Sequence, residues 1–186
     1  GYAALAWLYK QRNRLAGAGA PLFVAGEEAG GNIAAAVALM VRDRAHPPLA
    51  GQILVAPMLD PCNATASLRE TMGEATGCKW MDGWQQYLRG PMDAEHPYAV
   101  PCQAQRLAGL PPTLILTGAD DPMRDEAMAY TQRLQEAGIA VQGHVLAPVT
   151  GWPDSLGEHP PPECPCAPQV RELVRAFFQA ATPPPS

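Results

Sequence analysis

The stretch of residues 24–32 constrains the fold more than any other part of this 186-residue chain. It is rich in glycine, and it lies between an apolar run at 22–25 and an alanine-rich run that continues to residue 41. A short, wholly apolar run is typical of a strand buried in a parallel sheet, and the alanine-rich run favours a helix. The sequence therefore predicts a strand, a tight turn and a helix.

The spacing of Gly26 and Gly30 suits a nucleophile elbow, in which a side chain is held on a strained turn between a strand and a helix N-terminus. The central residue of that frame is Glu28, whereas such an elbow carries serine when it serves as a nucleophile. The chain is therefore either an enzyme of unusual chemistry or the frame of an enzyme without its chemistry.

Strand and helix patterns alternate along the rest of the chain. The pattern predicts strands at 22–25, 52–56, 113–117 and 141–146, and helices at about 31–45, 124–137 and 170–181. Such alternation predicts an α/β fold, with a mainly parallel sheet covered by helices on both faces. We predict one domain over 1–181, with an irregular helical insert at about 62–110 and a tail at 182–186.

Ligands of such sheets bind at the carboxyl ends of the strands. The elbow, the turn at Asp120 and Asp121, and the turn at 149–152 all fall at those ends, so we expect them to converge. Within the insert, Trp80, Trp84 and Tyr87 are spaced as on one helix. We interpret them as ordinary packing, because aromatic stripes at helical spacing usually face a core.

Composition excludes several classes of function. The net charge is −5 and the basic residues are scattered, which argues against nucleic acid or an anionic membrane surface as a partner. No apolar run approaches the ~20 residues of a membrane helix, and the first residues lack the order of a signal peptide. We predict a cytoplasmic protein whose five cysteines are reduced, with no metal and no cofactor.

With these motifs in order, the chain resembles the α/β-hydrolase fold and, within it, the hormone-sensitive-lipase-like carboxylesterases that include bacterial acetyl esterases. The residues that carry the resemblance are the elbow at 26–32, the strand and turn at 49–60, the strand at 107–115 and the turn at 117–126. The family's His-Gly-Gly oxyanion motif lies on an earlier strand and loop that have no counterpart here, so the resemblance is to an N-terminally truncated member.

The resemblance also implies a role for individual positions. Glu28 falls on the nucleophile, Asp121 on the triad acid and Thr150 on the histidine, so the triad is degenerate. Gly26, Ala29 and Gly30 form the elbow's binding frame, and the backbone N–H of Ala29 falls on an oxyanion donor.

The resemblance and the altered positions together predict an inactive pseudo-esterase that acts by binding a ligand or by assembly. Serine hydrolysis needs a hydroxyl that a neighbouring imidazole deprotonates, and neither Glu28 nor Thr150 supplies its part. The alternative is an ester hydrolase or lyase that uses Glu28 as nucleophile or base with Asp121. His159, nine residues after Thr150, is a further candidate for the base, and Asp121 otherwise accepts backbone N–H groups in its turn.

The absence of the earlier strands has a structural consequence. Residues 22–25 would form an edge of the sheet with unpaired backbone groups, which proteins normally cover or pair. We expect that edge to be paired by a second copy of the chain, by a partner chain or by a preceding portion of a longer chain. We also expect a small apolar ligand.

Overall fold

The computed structural model describes residues 1–62, 65–71, 75–146 and 165–181, and side chains are described for all of these except 71 and 75–79. The strands are β1 Phe23–Glu27, β2 Gly51–Val55, β3 Thr113–Gly118 and β4 Val141–Leu146. The helices are α1 Tyr2–Ala16, α2 Ala29–Arg44, α3 Ala66–Thr71, α4 Ala75–Tyr87, α5 Pro91–Ala94, α6 Arg124–Glu136 and α7 Ala167–Ala181, with a short 3-10 helix at Pro101–Gln103.

The four strands form one sheet in the order β1-β2-β3-β4, and every neighbouring pair is parallel. All six residues of the interior strand β3 are buried. β1, whose apolar run at 22–25 indicated a buried strand, lies at an edge of this sheet of described strands, and none of its five residues is fully buried. β1 extends two residues beyond its predicted end, because Gly26 and Glu27 continue the ladder opposite Leu54 and Val55.

Helices cover both faces of this sheet, and the strands alternate their side chains between them. Leu54 and Ile115 pack on one face with residues of α2 and α6, among them Leu39 and Tyr130. Their strand neighbours, Ile53, Leu114 and Leu116, pack on the other face against Phe177 of α7. The predicted fold class is therefore confirmed, and the two cores hold the strand ends in fixed positions.

The alanines of α2 explain how closely this helix approaches the sheet. Ala34, Ala35 and Ala38 are buried in the same core as Leu54, and small side chains allow short distances between helix and strand. The helix ends at Arg44, and Ala45 then adopts a left-handed conformation with φ 52°. The division into one domain, an insert and a tail stays a prediction, and residues 182–186 lie outside the described residues.

Candidate functional site

Glu28 occupies a strained turn between β1 and α2. Its backbone has φ 48° and ψ −116°, a region that residues other than glycine rarely adopt. The Glu28 N–H donates to the Val55 carbonyl at 2.9 Å, and the Glu28 carbonyl accepts from Gly31 at 2.9 Å and from Met58 at 3.1 Å. Bonds to both β2 and α2 therefore hold the strained residue in place, as an elbow requires.

Two glycines make this turn sterically possible. A Cβ on Gly26 would lie 2.0 Å from the carbonyl oxygen of Gly30, and a Cβ on Gly31 would lie 2.8 Å from the Cβ of Pro57. A Cβ on Gly30 would meet nothing within 4 Å outside its own helix backbone. The steric requirement therefore falls on Gly26 and Gly31, whereas the sequence frame singled out Gly26 and Gly30.

The side chain of Glu28 lines a cavity of about 310 Å³ at this end of the sheet. The other described residues that line it are mostly apolar: Ala29, Asn32, Ile33, Met58, Trp80, Gly83, Trp84 and Tyr87. Ala29 opens α2 and is exposed, and the first N–H groups of a helix have no acceptor within it. The elbow therefore offers a carboxylate and a helix N-terminus to whatever enters the cavity.

The aromatic residues of α4 have two roles. Trp80 and Trp84 are buried and pack with Met58, Val100 and Met123, among others, which confirms the interpretation as packing for these two, whereas Tyr87 is 46% exposed. The same two tryptophans also line the cavity together with Tyr87. The periodicity of the sequence showed the helix face but not that the elbow lies against it.

Electrostatic repulsion links Glu28 to the predicted acid position. Burial, Glu27 and Asp121 all raise the pKa of the Glu28 carboxyl above its ordinary value, with burial the largest cause. β1 and β3 end on the same side of the parallel sheet with β2 between them, so Glu28 and Asp121 both lie at this end of the sheet, with Glu27 next to Glu28.

Asp121 is held by its own turn. Its Oδ2 accepts from the Thr117 hydroxyl at 2.6 Å, and its Oδ1 accepts from the Met123 N–H at 2.8 Å. The prediction that Asp121 accepts a backbone N–H in its turn is confirmed. Burial raises the pKa of this carboxyl, and the hydrogen bonds oppose that effect.

Glu126 is a buried carboxylate at the same end of the sheet that the sequence did not single out. Its two oxygens accept from the backbone N–H groups of Leu59 at 2.8 Å and Asp60 at 3.2 Å. Burial is the largest cause that raises the pKa of Glu126, to about 8. An acidic residue in the first turn of a helix is favourable in the helix dipole wherever it points, and one sequence does not show which face of that turn is buried.

The remaining candidates cannot be placed. Thr150 and His159 lie outside the described residues. The predicted histidine position and the alternative base therefore stay predictions. Cys166 is disulfide-bonded, so the prediction of reduced cysteines is wrong for this residue. The spread of the cysteines along the chain gave no sign of that pairing.

Neither metal clusters nor membrane helices are found in the described part of the chain. No group of three or more His, Cys, Asp or Glu residues there is arranged to hold a metal ion. None of the described helices has the length and apolar character needed to cross a bilayer.

Comparison with known proteins matches this chain to the alpha/beta hydrolase fold. A family profile described as alpha/beta hydrolase fold matches residues 1–150. Esterase LipI of Mycobacterium tuberculosis is 32% identical over 146 residues, covering 77% of this chain and 46% of the relative. Ethyl acetate hydrolase of Pseudomonas putida is 32% identical over 151 residues, with coverages of 77% and 46%.

Solved structures agree with the sequence comparison. The crystal structure of esterase LipW from Mycobacterium marinum superposes with a TM-score of 0.77 at 32% identity, covering 97% of this chain and 55% of that one. The chain spans about half the length of the relatives it matches.

Proposed function

We infer a function from one premise: this chain belongs to the alpha/beta hydrolase fold family, in an esterase-like branch. We propose that it binds a small, mostly apolar ligand in the cavity beside Glu28 and does not hydrolyse ordinary esters. The observation that carries the proposal is the side chain at the elbow, a carboxylate that lines an apolar cavity on the strained turn where esterase chemistry needs a hydroxyl.

Each half of the proposal has a physical reason. A carboxylate has no O–H for a base to remove, so the usual acyl transfer to serine is not available. The cavity has a volume of about 310 Å³, and its lining includes Trp80 and Trp84. A concave, apolar site with a few polar groups is what small-molecule binding requires.

A second candidate function rests on the pKa of Glu28. A carboxyl with a raised pKa suits a general base or acid nearer neutral pH, and burial with the charges of Glu27 and Asp121 raises the pKa of Glu28. The second candidate is therefore a hydrolase or lyase in which Glu28 acts directly, with Asp121 beside it.

Hydrolysis of short-chain p-nitrophenyl esters separates the two candidates. We expect the rate with purified protein to equal that of buffer, both for the parent and for Glu28→Ala. Glu136→Ala removes an exposed carboxylate at the C-terminal end of α6 and serves as the control of equal charge change. Turnover that Glu28→Ala abolishes and Glu136→Ala preserves would overturn the non-hydrolytic proposal in favour of the second candidate.

Binding is tested separately with the neutral fluorescent probe N-phenyl-1-naphthylamine. We expect the parent to enhance its emission and 1-octanol to displace it. Gly83→Leu is the blocking variant, because Gly83 lines the cavity and a Cβ there meets no other atom within 4 Å, so the change adds a large apolar side chain at the cavity wall without a clash at its Cβ. Equal enhancement by the parent and Gly83→Leu would contradict binding in this cavity.

A further inference from the structure

The cavity beside Glu28 is lined by a buried amide as well as by a carboxylate. The Nδ2 of Asn32 donates to the Ala99 carbonyl at 2.9 Å, which fixes the orientation of the amide, because the flipped amide would set two acceptors against each other. Asn32 Oδ1 is then buried and has no hydrogen-bond partner among the described residues. Asn32 is only 3% exposed, so this oxygen adds unpaired negative partial charge beside the cavity without being open to it, and a buried acceptor left unpaired is costly.

The charges around the cavity have one sign. Glu28 is the charged residue among the described residues that line it, and none of those is Lys, Arg or His. The neighbouring charges that act on Glu28 are the carboxylates of Glu27 and Asp121. An anionic ligand would meet repulsion from these carboxylates and find no cationic partner among the described lining residues, whereas a cation would offset the cost of the partly buried carboxylate.

The aromatic lining favours a cation for a second, independent reason. Trp80, Trp84 and Tyr87 contribute rings to the same cavity, and the face of an aromatic ring attracts an ammonium group as well as apolar chains.

We propose that the ligand of this cavity is a cationic amphiphile, with an ammonium head that pairs with Glu28 and an apolar body that packs against Trp80 and Trp84. The inference rests on the proposed function, since it names the class of ligand for the same cavity. The negative charge and the aromatic faces select the head group, while the apolar lining selects the body.

Three eight-carbon ligands that differ only in their head group test this inference: octylammonium, 1-octanol and octanoate. Each is titrated against protein loaded with N-phenyl-1-naphthylamine near neutral pH. We expect octylammonium to displace the probe at a concentration at least about tenfold lower than octanoate, with 1-octanol between them, since one close charge pair contributes on the order of 1–2 kcal/mol in a partly buried site.

Two variants locate the origin of that preference. Glu28→Gln keeps the size of the side chain and removes its charge, so we expect the ratio between octylammonium and octanoate to fall toward one while 1-octanol displaces as before. Glu136→Gln makes the same change at the exposed C-terminal end of α6, which lies at the opposite end of the sheet, and should leave the ratio at its parental value.

The outcomes separate this inference from the proposed function. Displacement by 1-octanol with octylammonium no better than octanoate would overturn the cationic head group and leave apolar binding intact. The same ratio in the parent and Glu28→Gln would likewise overturn it. Probe binding that Gly83→Leu does not reduce would overturn both, because the ligands would then bind elsewhere.

Discussion

Glu126 shows how much of this site depends on a residue that does not line the cavity beside Glu28. Its carboxylate accepts from the backbone of Leu59 and Asp60 and so ties the turn after β2 to the start of α6. Met58, in the same turn, donates to the Glu28 carbonyl. The buried carboxyl of Glu126 therefore supports the strained elbow indirectly, through the two residues that directly follow Met58.

We predict that this carboxyl makes folding stability depend on pH. The pKa of Glu126 is about 8 in the folded protein, against 4.5 for an unperturbed group, so between these values the unfolded chain binds fewer protons than the folded one. Stability from this group then falls as pH rises through that window. In Glu126→Gln the urea-derived free energy of unfolding should depend less steeply on pH from 5 to 8, by up to about 1.4 kcal/mol per pH unit.

Asp125→Asn is the matched control for that change. The pKa of Asp125 is lowered, with the hydrogen bond from the Ser67 N–H as the largest cause. A lowered pKa contributes stability above about pH 4 and loses it only under more acidic conditions. Asp125→Asn should therefore lower stability by a constant amount between pH 5 and 8 and keep the parental slope. A parental slope in Glu126→Gln as well would contradict the role assigned to Glu126.

At the scale of elements, the junction of β1 and α2 depends on close backbone contacts. The turn brings α2 so near the strand that Gly26 has the carbonyl oxygen of Gly30 where a side chain would be. Gly31 approaches Pro57 in the same way, across the neighbouring turn after β2. The conformation of the elbow therefore depends on contacts between the end of β1, the start of α2 and the turn after β2.

We predict that alanine substitutions at the three elbow glycines separate into two classes. Gly26→Ala should cost about 3 kcal/mol or more of folding free energy, because its Cβ would overlap backbone atoms that cannot move aside. Gly31→Ala should also destabilise, by about 1–3 kcal/mol, since the contact is with Pro57. Urea unfolding followed by far-UV circular dichroism measures both effects.

Gly30→Ala serves as the control within the same turn. A Cβ there meets nothing within 4 Å outside the helix's own backbone, and alanine favours a helix over glycine by up to about 1 kcal/mol. Its stability should equal or exceed that of the parent. If Gly30→Ala proved as damaging as Gly26→Ala, the glycines would serve conformational freedom in the turn and not close packing.

For the whole molecule, the periodicity of the sequence predicted the helices and strands but not which of them contact each other. Apolar runs identified β1, β2 and β3, and the almost wholly buried β2 and β3 need no polar alternation, whereas β4, predicted at the right residues, mixes exposed and buried positions. The cavity was not predicted, since Trp80 and Trp84 are about fifty residues from Glu28 and only the packing of α4 shows that they face the elbow. The buried state of Glu126 and the unpaired Oδ1 of Asn32 escaped prediction for the same reason.

β1 forms an edge of the sheet among the described residues, and its outer side carries unpaired backbone groups. The Ala50 N–H donates to the Leu22 carbonyl at 2.7 Å, so by strand alternation Val24 faces β2 while the N–H of Phe23 and of Ala25 faces outward. Beside this edge, Leu8 of α1 is 38% exposed and lines an apolar concavity together with Phe23 and Val24. An edge with both open hydrogen-bonding groups and apolar surface favours pairing.

We propose that a second copy of the chain pairs with this edge, and we predict a dimer in solution. Sedimentation equilibrium at micromolar concentration should give a mass near twice 19.8 kDa. Ala25→Pro removes one outward N–H but no bond to β2, and Leu8→Lys places a charge on the apolar surface, so each should shift the mass toward that of the monomer. Met92→Lys alters a side chain that is 86% exposed in α5 and should leave the dimer intact.

A monomeric parent whose amides at 23 and 25 exchange rapidly would contradict pairing along β1, because hydrogen bonds to a second strand would protect those two amides and leave the interior ladder to β2 unchanged.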